Sequence, residues 1–292
     1  MGKSPLITLY DASNSDRIAL SAWQTMFREL AESGELISRL VKRDMASQFR
    51  QSFLGYVWII LPPVATTIVF TLLRKASVIN VPMPDGAMPY ALFVLVGTTV
   101  WGLFTQVTIM STTSIVNAGN LVSKIYFPRE VLVLSAVGTA LINVFIRIML
   151  LVLVFFMFGY APHWQVIFAP ILLLPLILFA LGLGLFCAPA NTMMHDMSRV
   201  LEFAFQFGMF LAPTIYPTPN RWAVDTQWQQ ILYWLHTCNP VTHYLHAIHG
   251  LIEKGTFALD AGFLISLLLG VTVFAIGWRT FHICEPLLAE RL

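Results

Sequence analysis

The chain has 292 residues, of which 57% are hydrophobic and only 11% are charged, and its mean hydropathy is +0.74. Because a water-soluble domain carries about 25% charged residues, this composition excludes an ordinary soluble domain and predicts a protein whose apolar surface is covered by lipid. The net charge of +2 is too small to indicate a nucleic-acid partner.

The N-terminal region divides into two parts. Residues 1–35 are polar and lack the apolar core of a signal peptide, which predicts a cytoplasmic segment. Residues 36–50, LISRLVKRDMASQFR, place apolar side chains on one helical face and cations mostly on the other, at Arg39, Lys42, Arg43 and Arg50. This pattern predicts an amphipathic helix in the inner membrane interface, where anionic lipid attracts it, with an ordinary solvated helix as the alternative.

The rest of the chain, residues 51–292, is interrupted by few charges. Since a bilayer core requires about 20 apolar residues, its nearly charge-free intervals predict six transmembrane helices and an all-α integral membrane protein. The predicted spans are residues 54–73, 90–116, 131–158, 166–187, 200–216 and 261–278.

The basic residues predict the orientation of these spans. With both termini in the cytoplasm, twelve Lys and Arg residues lie on the inner side and four on the outer side, while Arg147 lies within the third span. Loops rich in Lys and Arg stay in the cytoplasm. The sequence therefore predicts cytoplasmic termini.

The region between the fifth and sixth predicted spans, residues 217–255, is too polar to cross a bilayer and too apolar to lie free in water. Short helices at the outer interface, or re-entering the protein, fit this composition. His243, His246 and His249 lie here at a spacing of three, which raises the alternative of a membrane metalloenzyme. The outer two diverge by about 120° on a helix, however, and the run contains no carboxylate.

Sequence motifs for catalysis are incomplete. Gly250 and Gly255 have the spacing of a phosphate-binding loop, but Thr256 and Phe257 follow where Lys and Ser or Thr are required. Neither HExxH nor GxSxG occurs. We therefore expect no catalytic, cofactor-binding or metal-binding residue in this chain.

The loop between the second and third predicted spans, residues 117–130, places Tyr126 and Phe127 beside Lys124 and Arg129. An aromatic pair on a polar cytoplasmic loop indicates an anchor for a partner's groove. Basic residues and interfacial aromatics are equally typical of a plain membrane-surface loop.

Motifs in chain order extend from residue 43 to residue 240. They comprise Arg43-Asp44 to Arg50 with Ser52, Leu54, Gly55, Trp58, Leu61 and Pro63; residues 93–97 with Trp101; residues 120–129; Pro213, Ile215, Tyr216 and Pro217; Arg221-Trp222; and Asn239-Pro240. Together they resemble the membrane subunits of bacterial ABC exporters for polysaccharide, in particular the O-antigen export permeases of the type-2 ABC superfamily. His195 departs from the pattern, because relatives usually carry Arg before the Asp at this point.

The resemblance implies a homodimer of six-span subunits in the bacterial inner membrane, with two separate ATPase subunits that bind ATP and magnesium. The substrate would be a lipid-linked polysaccharide for lipopolysaccharide biosynthesis, and this chain would not be an enzyme. An ABC permease for capsular polysaccharide, teichoic acid, lipid or drug is the alternative. The helix at residues 36–50 would be a second ATPase contact, and the coupling residues would be Asn120, Leu121, Lys124, Tyr126, Phe127, Pro128 and Arg129.

The resemblance also implies an outer gate at residues 217–255, with Pro217, Trp222, Asn239 and Pro240 as its candidate residues. Candidates for the translocation path are Arg147, Phe203, Phe207, Phe210, Tyr216 and Trp58. The three Phe residues share one helical face, although lipid-facing Phe gives the same stripe. Because a charge within a span is costly, we expect Arg147 to face the protein interior or a wet channel, near Asn143, with Glu202 or Asp196 as its partner.

Overall fold

The computed structural model describes residues 33–50, 52–83, 87–119, 128–218 and 226–291, with side chains described as far as Glu285. All regular secondary structure in these ranges is helical. The α-helices are α1 Gly34–Gln48, α2 Val57–Lys75, α3 Tyr90–Asn117, α4 Glu130–Met157, α5 Ala169–Met193, α6 Asp196–Gly208, α7 Gln227–Cys238, α8 Pro240–Lys254 and α9 Ala261–Arg291.

Five helical segments within the described ranges are long and apolar enough to cross a membrane. They are α2, α3, α4, α9 as far as Glu285, and α5 together with the 3₁₀ turn Trp164–Phe168 that precedes it. Each corresponds to a predicted span, although α9 runs well beyond the predicted end at residue 278. The all-α membrane architecture predicted from the sequence is confirmed.

The predicted fifth span at residues 200–216 has a different structure. The 13-residue helix α6 passes into a 3₁₀ turn, Met209–Leu211, and the backbone is extended at Ala212 (φ −112°, ψ 152°). Ala212 precedes Pro213, and the proline ring disfavours helical backbone in the preceding residue. The segment is therefore helical for only part of its length.

Helix α3 occupies the centre of the molecule and packs against α2, α4, α5, α6 and α8. Small residues allow the closest approaches. A Cβ at Gly97 would overlap the backbone carbonyl of Thr214, and a Cβ at Gly277 in α9 would overlap the carbonyl of Gly182 in α5. The main hydrophobic core consequently lies around α3 and along the α5–α9 contact.

Helix α1 has the two faces that the sequence predicts. Leu40 is buried, and Leu36 and Ile37 pack with Val131 and Leu132 at the start of α4. The four cations at Arg39, Lys42, Arg43 and Arg50 are exposed. Part of the apolar face thus packs on protein.

Two short helices, α7 and α8, follow the predicted fifth span. Thr226 and Gln229 form a reciprocal capping box at the start of α7. Asn239 caps α8 by accepting a hydrogen bond from Val241 N at 3.0 Å, with Pro240 in the first turn. Much of α8 is buried against α3, α5 and α9, whereas α7 is largely exposed.

Candidate functional site

The segment from α6 to Ile215 lies along the central helix α3. Near the start of α6, Ser198 N donates to Asn191 Oδ1 at 3.0 Å, and Asn191 Nδ2 donates to Thr112 O of α3 at 3.4 Å. Near the end of the segment, Tyr90 Oη at the opposite end of α3 donates to Ile215 O at 2.8 Å. Residues 90 and 112 are about 33 Å apart along a helix, so the segment runs almost the full length of α3.

One face of α6 packs inward. The Phe205 ring contacts the rings of Trp101 and Phe104, with centroids 6.4 and 5.2 Å away, and Trp101 Nε1 donates to Phe205 O at 3.2 Å. The candidate path residues Phe203 and Phe207 lie on the other face, 66% and 52% exposed, with their ring centroids 4.9 Å apart. The predicted aromatic face is therefore present and points away from the subunit's core.

Of the other three path candidates, Phe210 and Tyr216 extend this segment, and Trp58 is exposed on α2. Trp58 in α2 is 53% exposed, and Phe210 lies 6.2 Å from Phe70 of α2, measured between ring centroids. Tyr216 donates a hydrogen bond from its hydroxyl to Phe210 O and stacks on His236 of α7, at 5.5 Å between centroids. Tyr216 thus joins the end of the α6 segment to α7.

Arg147 lies at a junction of three helices. Its side chain extends from α4, donates from Nε to Ile59 O of α2 at 3.3 Å, and occupies the space that a side chain at Gly102 of α3 would need. This interior position agrees with the expectation for a charge in a span. Asn143, one turn earlier, is buried and donates to Gln48 Oε1 at 3.5 Å.

The carboxylate partner expected for Arg147 is corrected by this geometry. Asp196 instead pairs with Arg199 at 3.3 Å on the exposed start of α6, and Glu202 is exposed on the same helix. Arg147 points toward α2 and α3, where a backbone carbonyl is the nearest acceptor that its guanidinium contacts. The partner is thus a neutral oxygen.

The three histidines of α8 point to different neighbours. His243 Nε2 lies 3.1 Å from Thr237 O, His246 Nε2 lies 2.7 Å from Thr218 Oγ1, and His249 stacks on the ring of Phe93 at 4.2 Å. The described structure therefore does not bring these imidazoles together as metal ligands. The histidine run does not support the metalloenzyme alternative.

Burial keeps several of these imidazoles neutral. Burial, with a smaller contribution from the neighbouring His246, lowers the pKa of His249 to about 3. The pKa of His236 falls to about 4, again mainly because of burial. His236 Nδ1 lies 3.3 Å from Thr218 Oγ1, the hydroxyl that also contacts His246. Thr218 therefore joins α7 to α8 next to the predicted gate residue Pro217.

Two other gate candidates, Asn239 and Pro240, form the N-terminus of α8, as described above. Trp222 lies outside the described residues. Of the predicted coupling residues, Asn120, Leu121, Lys124, Tyr126 and Phe127 also lie outside them. Pro128 and Arg129 are half-buried immediately before α4.

Arg129 and its neighbour Glu130 contact the far end of α9. Arg129 N donates to Glu285 Oε1 at 3.4 Å, its guanidinium donates to the Glu285 carbonyl, and Glu130 Oε1 lies 2.9 Å from His282 Nδ1. Sequence reasoning missed Glu130, His282 and Glu285. The available signal was the spacing of His282 and Glu285, which places both on one face of a helix.

Of the four cations at residues 39–50, Arg43 lines a polar pocket at the same end of the molecule. Arg43 pairs with Asp44 at 2.7 Å, and Arg39 pairs with Glu35 at 2.6 Å on the exposed face. The pocket holds about 370 Å³ between α1, α3 and α4, and its lining includes Ser47, Thr113, Asn117, Ser135 and Thr139.

The described residues form a bundle of apolar helices around the buried helix α3, with polar contacts at both ends and the Arg147 side chain in the interior. Residues 35–252 match the family model described as ABC-2 type transporter. Because the match covers most of the chain, the protein belongs to the ABC-2 type transporter family and is a transport subunit rather than an enzyme.

Three relatives are similar to most of the chain, and each is an O-antigen export system permease protein RfbA. The Myxococcus xanthus protein is 28% identical over 192 residues, which is 66% of this chain and 72% of the relative. Two Klebsiella pneumoniae proteins are 22% and 21% identical, over 88% and 82% of this chain and 95% and 91% of their own lengths.

Proposed function

We propose that this chain is the permease subunit of an ABC exporter that moves a lipid-linked polysaccharide of the O-antigen type across the bacterial inner membrane. The observation that carries the proposal is the shared name of the three relatives, which match 66% to 88% of the chain. The helical bundle and the exposed aromatic face of α6 support it.

The proposed subunit has six spans with both termini in the cytoplasm. The path of residues 196–215 along almost all of α3 supports a sixth crossing, because a segment that matches a membrane-spanning helix in extent crosses the same thickness. The excess of inner Lys and Arg residues supports the orientation. Cysteines placed at residues 80–83 should therefore react with an impermeant maleimide from outside, whereas cysteines at 117–119 should not.

Two copies of the chain are proposed to enclose the translocation path. The exposed aromatic residues of α2 and α6, Trp58, Phe203 and Phe207, support this arrangement because a second copy would convert the two faces into a lined channel. Sugar rings present C–H groups that stack on aromatic faces. Weak, repeated contacts of that kind let a polymer slide without being held at one position.

Two ATPase subunits that bind ATP and magnesium are proposed to contact the loop at residues 117–130, with α1 as a second contact. The position of this loop between α3 and α4 supports the assignment, since movement there reaches the central helix and its neighbour directly. Helix α1 packs through Leu40 on Ala118 and Val131, which lie at the two described ends of this segment.

Complementation tests the proposal. Expressed with its cognate ATPase and glycan-synthesis enzymes in a strain that lacks an O-antigen exporter, the chain should restore polysaccharide at the cell surface. Export of a lipid or drug with no glycan at the surface would overturn it in favour of another ABC permease. Export of capsular polymer or teichoic acid would retain the permease role and change the substrate.

The coupling assignment has its own test. Replacing Tyr126 and Phe127 together by Ala should abolish export and weaken co-purification of the ATPase, because truncating an aromatic anchor typically costs ~2 kcal/mol or more. Lys124→Ala is the matched control and should have a smaller effect, since a rim charge mainly changes the association rate. Normal export by the double variant would remove this loop from the coupling role.

A further inference from the structure

A polar cluster, formed by the half-buried Arg129 and the buried Glu130, His282 and Glu285, joins the start of α4 to the end of α9. We propose that this cluster is a clamp that makes the two helix ends one mechanical unit. Movement of the loop at residues 117–130 is thereby delivered to α9 as well as to α4. The inference rests on the proposed function, because it takes that loop as the point where the ATPase acts.

The first half of the clamp is an imidazole–carboxylate contact. His282 Nδ1 lies 2.9 Å from Glu130 Oε1, and the two residues are 9% and 5% exposed. Glu130 lies in the first turn of α4, where the positive end of the helix dipole favours a carboxylate. Because water is largely excluded, separating the pair would leave a buried carboxylate without its partner.

The second half of the clamp connects Arg129, the last residue before α4, to the same helix, α9. The backbone N–H of Arg129 donates a hydrogen bond to the Glu285 carboxylate at 3.4 Å, and its guanidinium donates to the Glu285 carbonyl. Glu285 is 9% exposed. Two adjacent residues of the loop end thus hold two residues of α9 that are one turn apart, so the contact resists rotation as well as separation.

Helix α9 can pass the movement on because it is itself tightly packed. Gly277 lies against Gly182, which brings the backbones of α9 and α5 together without side chains between them. Trp278, one turn before His282, is buried in the core. A displacement at the clamp therefore reaches α5 through α9, in addition to the route through α3.

The same residues include a possible donor set for a divalent cation, since ligand atoms of Glu130, His282 and Glu285 lie within 4.8 Å of one another. The charges of the cluster favour the clamp over a cation site. Arg129 places a guanidinium against Glu285, and a cation bound next to it would be repelled. The experiments distinguish the two cases.

The first experiment separates coupling from folding and from ATPase binding. Glu130→Gln with His282→Gln, purified with the ATPase and reconstituted in proteoliposomes, should retain the ATPase and hydrolyse ATP within twofold of wild type. Glycan exported per ATP should fall about tenfold. Asp196→Asn is the control, because it breaks an ion pair that is 80% and 82% exposed and should leave this ratio unchanged.

The outcomes separate this inference from the proposed function. Failure of the wild-type chain to retain an ATPase would end both. Retention of the ATPase with an unchanged export-to-ATP ratio in the double variant would overturn the clamp alone. Stoichiometric zinc in the purified wild-type chain, lost in the double variant, would also overturn it and assign the cluster to a metal.

A second experiment replaces the imidazole–carboxylate contact by a covalent link. Cys187, Cys238 and Cys284 are first changed to Ser, and Glu130 and His282 are changed to Cys. A short bis-methanethiosulfonate linker added to the assembled complex should restore at least half of the lost export per ATP, and reduction should abolish it again. Since the same molecules are compared before and after linking, a folding defect cannot produce the difference. Efficient linking without recovery would overturn the clamp.

Discussion

Helices α2 and α3 have the same mean hydropathy of 1.7 over their most apolar stretches, yet they occupy opposite environments. In α3, 83% of that stretch is buried inside the protein, whereas in α2 only 17% is buried. Hydropathy measures how favourably a helix transfers out of water. It does not distinguish lipid from the protein interior, because both are apolar surroundings. The neighbours of each helix decide which of the two it meets.

Small and polar residues mark the difference between these helices. Helix α3 carries Gly97 and Gly102 where another backbone or a guanidinium approaches, together with a series of Thr and Ser hydroxyls that donate to carbonyls one turn back. Such residues allow close contact between helices in a membrane. Helix α2 is attached at fewer points and leaves Trp58 and Leu61 exposed.

Among the substitutions that test this difference between α2 and α3, the largest loss of stability is expected at Gly97. Gly97→Val places a branched side chain on the Thr214 carbonyl, and overpacking of this severity should destabilise the subunit by about 3 kcal/mol. Ala65→Val on the exposed face of α2 is the control and should change stability by less than about 0.5 kcal/mol. Thermal unfolding in detergent measures both, and equal melting temperatures would refute the assignment of α3 as the packed helix.

Arg147 tests how α2 is held. Arg147→Leu removes the hydrogen bond to Ile59 O and should loosen α2 by about 2 kcal/mol, the scale of a hydrogen bond to a charged group. A cysteine at Ile59, which is 4% exposed in the native chain, should then react faster with maleimide. Arg147→Lys should give an intermediate rate. If the Arg147→Leu variant shows native labelling and native export, Arg147 has neither the structural role nor a role in substrate transport.

The Tyr90 end of α3, where His249 stacks on Phe93, is sensitive to pH through that histidine. The pKa of this imidazole is about 3 in the folded chain and about 6.5 when unfolded. The neutral form is thus favoured by folding, and its stabilisation is complete above pH 6.5 and is lost as the pH falls from 6.5 toward 3. The loss should be about 1.4 kcal/mol at pH 5.5.

Histidine substitutions isolate this effect. His249→Phe preserves a ring against Phe93 and should flatten the dependence of unfolding free energy on pH between 7 and 5.5. His163→Gln, at an exposed position, should leave that dependence unchanged. Retention of the full pH dependence in the His249→Phe chain would assign it to other groups.

The smallest effect on subunit stability is expected on the exposed face of α6. Changing Phe203 and Phe207 to Ala should alter the unfolding free energy by less than about 1 kcal/mol in total, while glycan export falls. Phe205→Ala on the same helix is the matched contrast, because that ring packs on Trp101 and Phe104 and its loss should destabilise by about 3 kcal/mol. Unchanged export in the double variant would leave the exposed pair as lipid-facing residues.

Five of the six predicted spans appear as helices within a few residues of their expected starts, because a run of apolar residues bounded by charges has a single low-energy structure in a bilayer. The fifth differs because Pro213 ends its helical backbone early, and the apolar composition of residues 200–216 conceals that break. The cations at residues 39–50 are exposed, while the placement of α1 in the membrane interface stays a prediction.

The candidate site was less accessible to sequence reasoning. Arg147 was correctly expected in the interior because an isolated charge has few alternatives there. Its contact with Ile59 O depends on which helix lies beside α4, and the sequence does not contain that information. The histidine run of α8 suggested a shared ligand, yet the three rings face Thr237, Thr218 and Phe93 once α7 and α3 are packed around them.

By itself the sequence determined that this protein is helical and that it lies in a membrane. These properties follow from the transfer of side chains between water and lipid, which each segment undergoes on its own. Only the tertiary structure decided that α3 is central, that α2 and α6 present aromatic residues outward and that Glu130 meets His282. The contact between Glu130 and His282 joins residues 152 positions apart, and a contact of that kind forms only after the helices have packed together.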